Sequence, residues 1–141
     1  MNVTMSGRRS VRRDFIQSAV LFFCQELNLD RSRFNLSVQS VSGLHRVQQA
    51  RGGVIQTDDK SIVMLLDSKL KTEELVQTIA HEMIHVKQIA RGRLTCFIRD
   101  GNMENCWLGK KLEMPYHLRP WEVEAFRQEK ILAYRLFSIL T

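Results

Sequence analysis

The chain has 141 residues, of which 44% are hydrophobic and 26% charged, and its net charge is +6. This length and hydrophobic content suit one core, so we predict a single domain over residues 1–141, with residues 1–9 flexible. Two prolines and seven glycines argue against a linker-rich chain, and no apolar run is long enough to predict a membrane partner.

The cysteine pattern predicts a reducing environment. Cys24, Cys96 and Cys106 form no Cys-x-x-Cys pair, and an odd count is a poor disulfide framework. We therefore predict a cytoplasmic protein. Arg12 and Arg13 resemble the start of a twin-arginine export signal, but no small-residue cleavage site follows the uncharged segment after them. For Cys96 and Cys106, two small buried thiols are favoured over a second zinc site.

The first predicted element is an amphipathic helix from Ser10 to about Asn28. Its apolar face is formed by Phe15, Ala19, Phe22, Phe23 and Leu27. Four arginines gather at its start, at positions 8, 9, 12 and 13, where the helix dipole does not favour positive charge. We interpret them as a solvated arm, with a weak polyanion contact, such as nucleic acid, as the alternative.

Three strands are predicted next: Leu36–Val41, Gly53–Thr57 and Ser61–Leu66. The first alternates apolar and polar residues, as a half-buried strand does. The third is apolar enough to be central or well covered. His45 lies between strands and is given no functional role.

A long helix is predicted from Thr72 to Arg91. Thr72 is the expected N-cap, Glu73 and Glu74 put negative charge in the first turn, and Gly92 follows as the C-cap glycine. An apolar stripe recurs at steps of three and four residues, at Val76, Ile79, Met83, Val86 and Ala90. This stripe should face the core.

The same helix carries the motif His81-Glu82-Met83-Ile84-His85. Residues four apart lie on one helix face, so both imidazoles can point at a single Zn²⁺ ion. A catalytic zinc keeps three protein ligands and leaves a position for water. Glu82 is about 100° round the helix from His81, and from there it could take a proton from that water. The alternative is that His81 and His85 are ordinary helix histidines.

Beyond Gly92, two segments, residues 95–98 and 105–108, flank the turn signal Asp100-Gly101 and predict an extra hairpin or an ordered loop. Pro120 then begins a last helix, which carries Glu122 and Glu124. Residues two apart diverge by about 200° on a helix, so only one of these carboxylates can face a given metal ion.

A strand, an HExxH helix, a connection and a second helix bearing a glutamate resemble the zincin metallopeptidases, in the glutamate-ligand branch called gluzincins. The resemblance spans about residues 61–133. More closely, the segments from His81 to Gln88 and from Arg119 to Ala125 are similar to small phage and bacterial metallopeptidases described as SprT-like. The chain differs from SprT proteins in lacking an evident third histidine ligand and a Cys-rich zinc ribbon.

The resemblance implies a third metal ligand. In gluzincins this ligand precedes a small residue by three positions, which matches Glu122 with Ala125, so Glu122 is the implied ligand and Glu124 the alternative. The implied fold is α+β, a zincin-like minimal metalloprotease domain. It would have a small mixed sheet, the HExxH active-site helix and a C-terminal ligand helix.

The resemblance also implies a group that stabilises the oxyanion of the tetrahedral intermediate. Some zincins place a tyrosine shortly before the third ligand, which here implies Tyr116. His117 and Arg119 are nearby alternatives. Such a donor acts where negative charge develops during the reaction.

The predicted function is zinc-dependent hydrolysis of peptide bonds in a polypeptide substrate. The predicted site has Glu82 as general base, Tyr116 as oxyanion donor, and the metal ligands His81, His85 and Glu122. Strand Ile62–Leu66, if it forms the sheet edge nearest the cleft, would bind the substrate as an added strand.

A second interpretation is a basic nucleic-acid- or protein-binding accessory module whose zinc site is vestigial or structural. A structural zinc usually has a closed set of four ligands dominated by cysteine. The motif shows no such set, and this favours the enzyme.

Overall fold

A computed structural model of the protein describes residues 1–44 and 50–140, and within these it has an α+β fold with a mixed sheet and a small antiparallel sheet. The strands are β1 (Asn2–Met5), β2 (Asn35–Val41), β3 (Gly52–Asp58), β4 (Ser61–Asp67), β5 (Leu94–Arg99), β6 (Asn102–Trp107) and β7 (Lys110–Lys111). The helices are α1 (Val11–Glu26), α2 (Thr72–Ala90) and α3 (Pro120–Leu140), and a 3₁₀ turn (Tyr116–Leu118) precedes α3. His45 lies outside the described residues.

The larger sheet has the order β1-β2-β4-β3, in which β1, β2 and β4 are parallel and β3 is antiparallel to β4. The prediction that β4 is central is confirmed, since β2 and β3 flank it. Alternate residues of β4, namely Ile62, Met64 and Leu66, are buried in the core with residues of α1 and α2. The expectation that β4 could be the edge that receives a substrate is therefore wrong, because both of its edges are paired. The edge strand on that side is β3.

The N-terminal residues differ from the prediction of a flexible segment over residues 1–9. Residues 2–5 form β1, which pairs in parallel with β2, and Val3 and Met5 pack against the core. The pairing continues to Ser6, whose backbone N–H donates to the carbonyl of Val38 at 3.1 Å. Four residues are too few to show a clear alternation in the sequence, and β2 supplies the partners that order them.

Helix α1 begins as predicted, with the Ser10 hydroxyl accepting a hydrogen bond from the backbone N–H of Arg13 at 3.1 Å. Its buried side chains are Ile16, Ala19, Val20, Phe23 and Cys24. The buried face therefore differs in part from the predicted apolar face, since Phe15 and Phe22 are only partly buried. The helix covers the sheet together with α2.

Two arginines of the basic cluster bind the protein's own backbone. The Arg12 guanidinium donates to the carbonyl of Leu70 at 2.9 Å and to that of Asp67 at 3.3 Å. Arg13 donates to the carbonyl of Met5 at 3.1 Å. These contacts tie the start of α1 to the ends of β1 and β4, whereas Arg8 and Arg9 are exposed.

Helix α2 lies in the centre of the molecule, and most of its residues are buried on every side. Thr72 is its first residue rather than its N-cap, which is Lys71 without a side-chain hydrogen bond. The predicted C-terminal glycine is correct, because Gly92 has a φ of +74° that favours glycine. The predicted apolar stripe therefore accounts for only part of the helix surface that is buried.

The predicted hairpin is confirmed as β5 and β6, joined at Asp100 and Gly101, which both have positive φ. In its register Cys96 is opposite Asn105, and Thr95 is opposite Cys106. Side chains alternate between the two faces of a strand, so Cys96 and Cys106 lie on opposite faces and cannot share a metal ion. All three cysteines are free. No helix in the described part of the chain combines the length and apolar character needed to cross a membrane.

A candidate metal centre in the central cleft

A cleft of about 940 Å³ opens between α2, α3, the edge strand β3 and the hairpin. Its inner wall is formed by the HExxH motif of α2 and by Glu122 of α3. Its outer wall includes Gly52, Gly53 and Val54 of β3. The motif residues and the second glutamate, which are far apart in the sequence, are thus brought into one cavity.

His81, His85 and Glu122 converge in this cleft. Oε1 of Glu122 lies 2.9 Å from Nε2 of His81 and 2.9 Å from Nε2 of His85, and the two Nε2 atoms are 3.2 Å apart. All three residues are buried, and one ligand atom from each lies within 4.8 Å of the others. This buried group of His81, His85 and Glu122, called the metal group below, could hold a metal ion. Two imidazole nitrogens and one carboxylate oxygen form a donor set that suits zinc and other divalent transition metals.

The structure separates the two glutamates that the sequence left as alternatives. Glu122, in the first turn of α3, joins the two imidazoles. Glu124 instead accepts two hydrogen bonds from Arg93, both at 3.0 Å, and one from Gln88 at 3.0 Å. This follows from the helix period, which directs residues two apart to different faces.

The outer nitrogen of His85 is held by a chain of hydrogen bonds. Nδ1 of His85 lies 2.8 Å from Oε1 of Gln88, an acceptor, so Nδ1 carries the proton and Nε2 is left to face the cleft. The Gln88 amide in turn donates to the carbonyl of Trp121 at 3.1 Å and to Glu124. Sequence reasoning missed Gln88, although its position one helical turn after His85 was a signal.

His81 meets a second carboxylate from α3. Its Nδ1 lies 3.5 Å from Oε1 of Glu129, a buried residue, and its ring lies 4.7 Å from that of Phe126. Glu129 follows Glu122 by seven residues, which is about two helical turns, so both carboxylates lie on the face of α3 that packs against α2. Sequence reasoning missed Glu129, for which this spacing was the available signal.

Glu82 lines the cleft beside the three residues of the metal group and is not one of them. Burial raises the pKa of its carboxyl group, and this direction suits a group that must accept a proton near neutral pH. The strand β3 comes close to it at Gly52. A Cβ atom at position 52 would lie 3.4 Å from Cγ of Glu82 and only 2.9 Å from Cγ2 of Thr78.

The metal group forms a buried network of opposite charges. Burial disfavours the charged form of His81, but its interactions with Glu122 and Glu129 outweigh this and raise its pKa to about 10. Burial likewise opposes the charge on Glu122, yet hydrogen bonds from His81 and His85 lower its pKa to about 2. A metal ion would therefore displace protons from the imidazoles.

The three candidates for the oxyanion donor occupy different places. Tyr116 and Arg119 line the cleft, whereas His117 is exposed and lies outside its lining. Burial and the nearby charge of Glu122 raise the pKa of Tyr116. The phenol thus stays protonated and retains a hydrogen to donate beside the metal group. The Tyr116 ring packs edge-on against Phe126, with 6.0 Å between the ring centroids.

Comparison with known protein families, with curated proteins and with solved structures found no match to this chain. A function for the cleft must therefore be argued from its residues. Those residues provide a buried group that could hold a metal ion, the Glu82 carboxylate beside it and the edge strand β3.

Proposed function

We propose that the protein is a zincin-like metallopeptidase that uses Zn²⁺ to hydrolyse peptide bonds. The observation that supports this most directly is the convergence of His81, His85 and Glu122, with Glu82 free beside them in the same cleft. The donor set is the one expected of a catalytic zinc, with three protein ligands rather than a closed set of four. The three ligands and the adjacent carboxylate come from two helices that are packed together.

When bound, the zinc ion would polarise the scissile carbonyl and lower the pKa of water. Glu82 accepts the proton of the attacking water and then passes that proton to the leaving amine. Tyr116 donates its phenol hydrogen to the oxyanion that develops on the substrate. Gln88 and Glu129 hold the outer nitrogens of the two imidazoles, so that each ring keeps its orientation during the reaction.

The substrate is an extended peptide that binds along β3. This strand ends the sheet, and its residues 52–54 line the cleft next to Glu82. A peptide placed beside residues 52–54 can form main-chain hydrogen bonds to β3, as an added strand. Further along β3, the side chain of Gln56 accepts a hydrogen bond from the backbone N–H of Cys96 in β5 at 2.8 Å. The scissile bond of the bound peptide would then lie in the cleft beside Glu82 and the metal group.

The proposal is tested by separating metal binding from hydrolysis. Glu82→Gln keeps the size of the side chain but cannot accept a proton, so zinc content and thermal melting should match wild type. Cleavage of a proteome-derived peptide library, read by mass spectrometry, should fall by about 10²–10⁴-fold. Glu73→Gln, on the exposed start of the same helix, is the matched control and should cleave normally.

Two results would contradict the proposal. A wild-type protein that binds one zinc ion per chain but cleaves no library member is not a peptidase. A wild-type protein that binds no zinc has only a hydrogen-bonded pair of helix histidines.

A further inference from the structure

Arg119 is held in a fixed position at the mouth of the cleft. Its Nε donates a hydrogen bond to the carbonyl of Met114 at 3.1 Å. Its guanidinium carbon lies 5.6 Å from the ring centroid of Tyr116 and 5.9 Å from that of Trp121. A planar cation stacked on two aromatic faces loses little further freedom when it binds a partner. Arg119 is thus oriented before any ligand arrives.

The terminal nitrogens of Arg119 have no acceptor in the part of the chain that the structure describes. Other arginines near the site differ in this respect. Both terminal nitrogens of Arg93 donate hydrogen bonds to Glu124. Arg51, which also lines the cleft, forms an ion pair with Glu74 at 3.3 Å. Arg119 therefore presents a guanidinium fork with unused donors to the cleft.

The position of this fork relative to the metal group is set by the start of α3. The backbone N–H of Glu122 donates to the carbonyl of Arg119 at 3.0 Å, so the two residues are one turn apart. A substrate whose scissile bond reaches the metal group therefore passes within reach of Arg119. The remaining cation of the cleft lining, Lys130, is exposed and offers a point charge rather than a planar fork.

We propose that Arg119 binds a carboxylate of the substrate, so that the enzyme prefers peptides with an anionic group close to the scissile bond. This inference rests on the proposed peptidase function and specifies its substrate class. A guanidinium binds a carboxylate through two parallel N–H···O bonds, which add both affinity and direction. The carboxylate belongs either to the peptide's C-terminus or to an Asp or Glu side chain.

Arg119 could instead have donated to the oxyanion, and the two roles give different kinetics. An oxyanion donor acts in the transition state and lowers kcat for every peptide when it is removed. A carboxylate anchor affects binding, and only of peptides that carry the carboxylate. The unused fork favours the anchor, because its two terminal nitrogens can bind both oxygens of a carboxylate, whereas an oxyanion is a single oxygen.

The test measures binding without cleavage. Zinc-loaded Glu82→Gln protein is immobilised and offered a peptide library in matched sets, with free or amidated C-termini and with internal Glu or Gln. We expect peptides with one type of carboxylate to be enriched about ten- to a hundredfold over the matched peptides that carry an amide in its place. Arg119→Met should abolish this preference, and Arg119→Lys should keep only part of it, because lysine lacks the fork.

Arg127→Met is the matched control, since Arg127 lies on α3 outside the cleft lining and should have no effect. Enrichment of the free-terminus set assigns the anchor to a C-terminal carboxylate, and enrichment of the Glu set assigns it to a side chain. If neither set is enriched, or if Arg119→Met and Arg119→Lys both keep the full preference, the inference is overturned. A preference that depends on Arg119 in a protein that cleaves nothing would leave the carboxylate site standing while the peptidase proposal fails.

Discussion

Glu129 lies 3.5 Å from Nδ1 of His81, on the side of the imidazole away from Glu122. Both nitrogens of His81 therefore meet carboxylates of the same helix, spaced about two turns apart. A carboxylate behind a ligating histidine fixes the orientation of the ring and makes it a better metal ligand. The pair links α2 and α3 at the depth of the metal group.

Replacing Glu129 by glutamine should therefore weaken metal binding without removing it. We expect Glu129→Gln to lower zinc affinity by about 10–100-fold, measured by competition with a chelator. Glu113→Gln, at an exposed position, should leave the affinity unchanged. Unchanged affinity in Glu129→Gln would show that Glu129 only fills space beside the ring.

Substitutions of Glu122 and Glu124, at the start of α3, should affect zinc binding differently. Glu122→Ala removes one of the three residues of the metal group, so the purified protein should lose zinc on dialysis. Glu124→Ala should retain it but melt at a lower temperature, because Arg93 and Gln88 lose their shared acceptor. The reverse pattern of zinc content would move the ligand from Glu122 to Glu124.

Gly52 should tolerate substitution much less well than its neighbour. A Cβ at position 52 would lie 2.9 Å from the carbonyl oxygen of Leu65 in β4 and 2.9 Å from Cγ2 of Thr78 in α2, so β3 must shift away from both. We expect Gly52→Ala to cost about 1–3 kcal/mol in urea unfolding. Gly53→Ala, whose Cβ would meet nothing within 4 Å, should change the free energy of unfolding by less than about 1 kcal/mol. Equal effects of the two variants would contradict the close approach of β3 to α2.

The metal-free protein should lose stability as the pH rises above neutral. His81 has its pKa raised from 6.5 to about 10, so its favourable interaction with Glu122 and Glu129 is fully present below pH 6.5 and is lost as the pH approaches 10. Thermal melts of metal-free protein should show this decline, and His81→Gln should remove most of it. A flat profile for the wild type would argue against a protonated His81.

Zinc binding should show the opposite dependence on pH, because the ion needs neutral imidazoles. Calorimetry of zinc binding in two buffers of different ionisation enthalpy should detect proton release near neutral pH. Binding without proton release would mean that the imidazoles are already neutral in the metal-free protein.

Much of the local structure was readable from the sequence alone. The period of α2, its closing glycine and the spacing of His81 and His85 depend on residues close together in the chain, whose relative positions the helix geometry sets. The same is true of the turn at Asp100 and Gly101, because two adjacent residues with positive φ are enough to join β5 and β6. The sequence also excluded a shared role for Glu122 and Glu124, but it left open which of them reaches the metal group.

That choice was made by the tertiary structure, through the packing of α3 against α2, which turns Glu122 toward the imidazoles and Glu124 toward Arg93. The same packing brought Glu129 to His81, and the sheet order decided that β3 rather than β4 borders the cleft. The tertiary structure likewise decided the pairing of β1 with β2. In each case the partners are far apart in sequence, so their meeting depends on which faces are buried together and not on any local period.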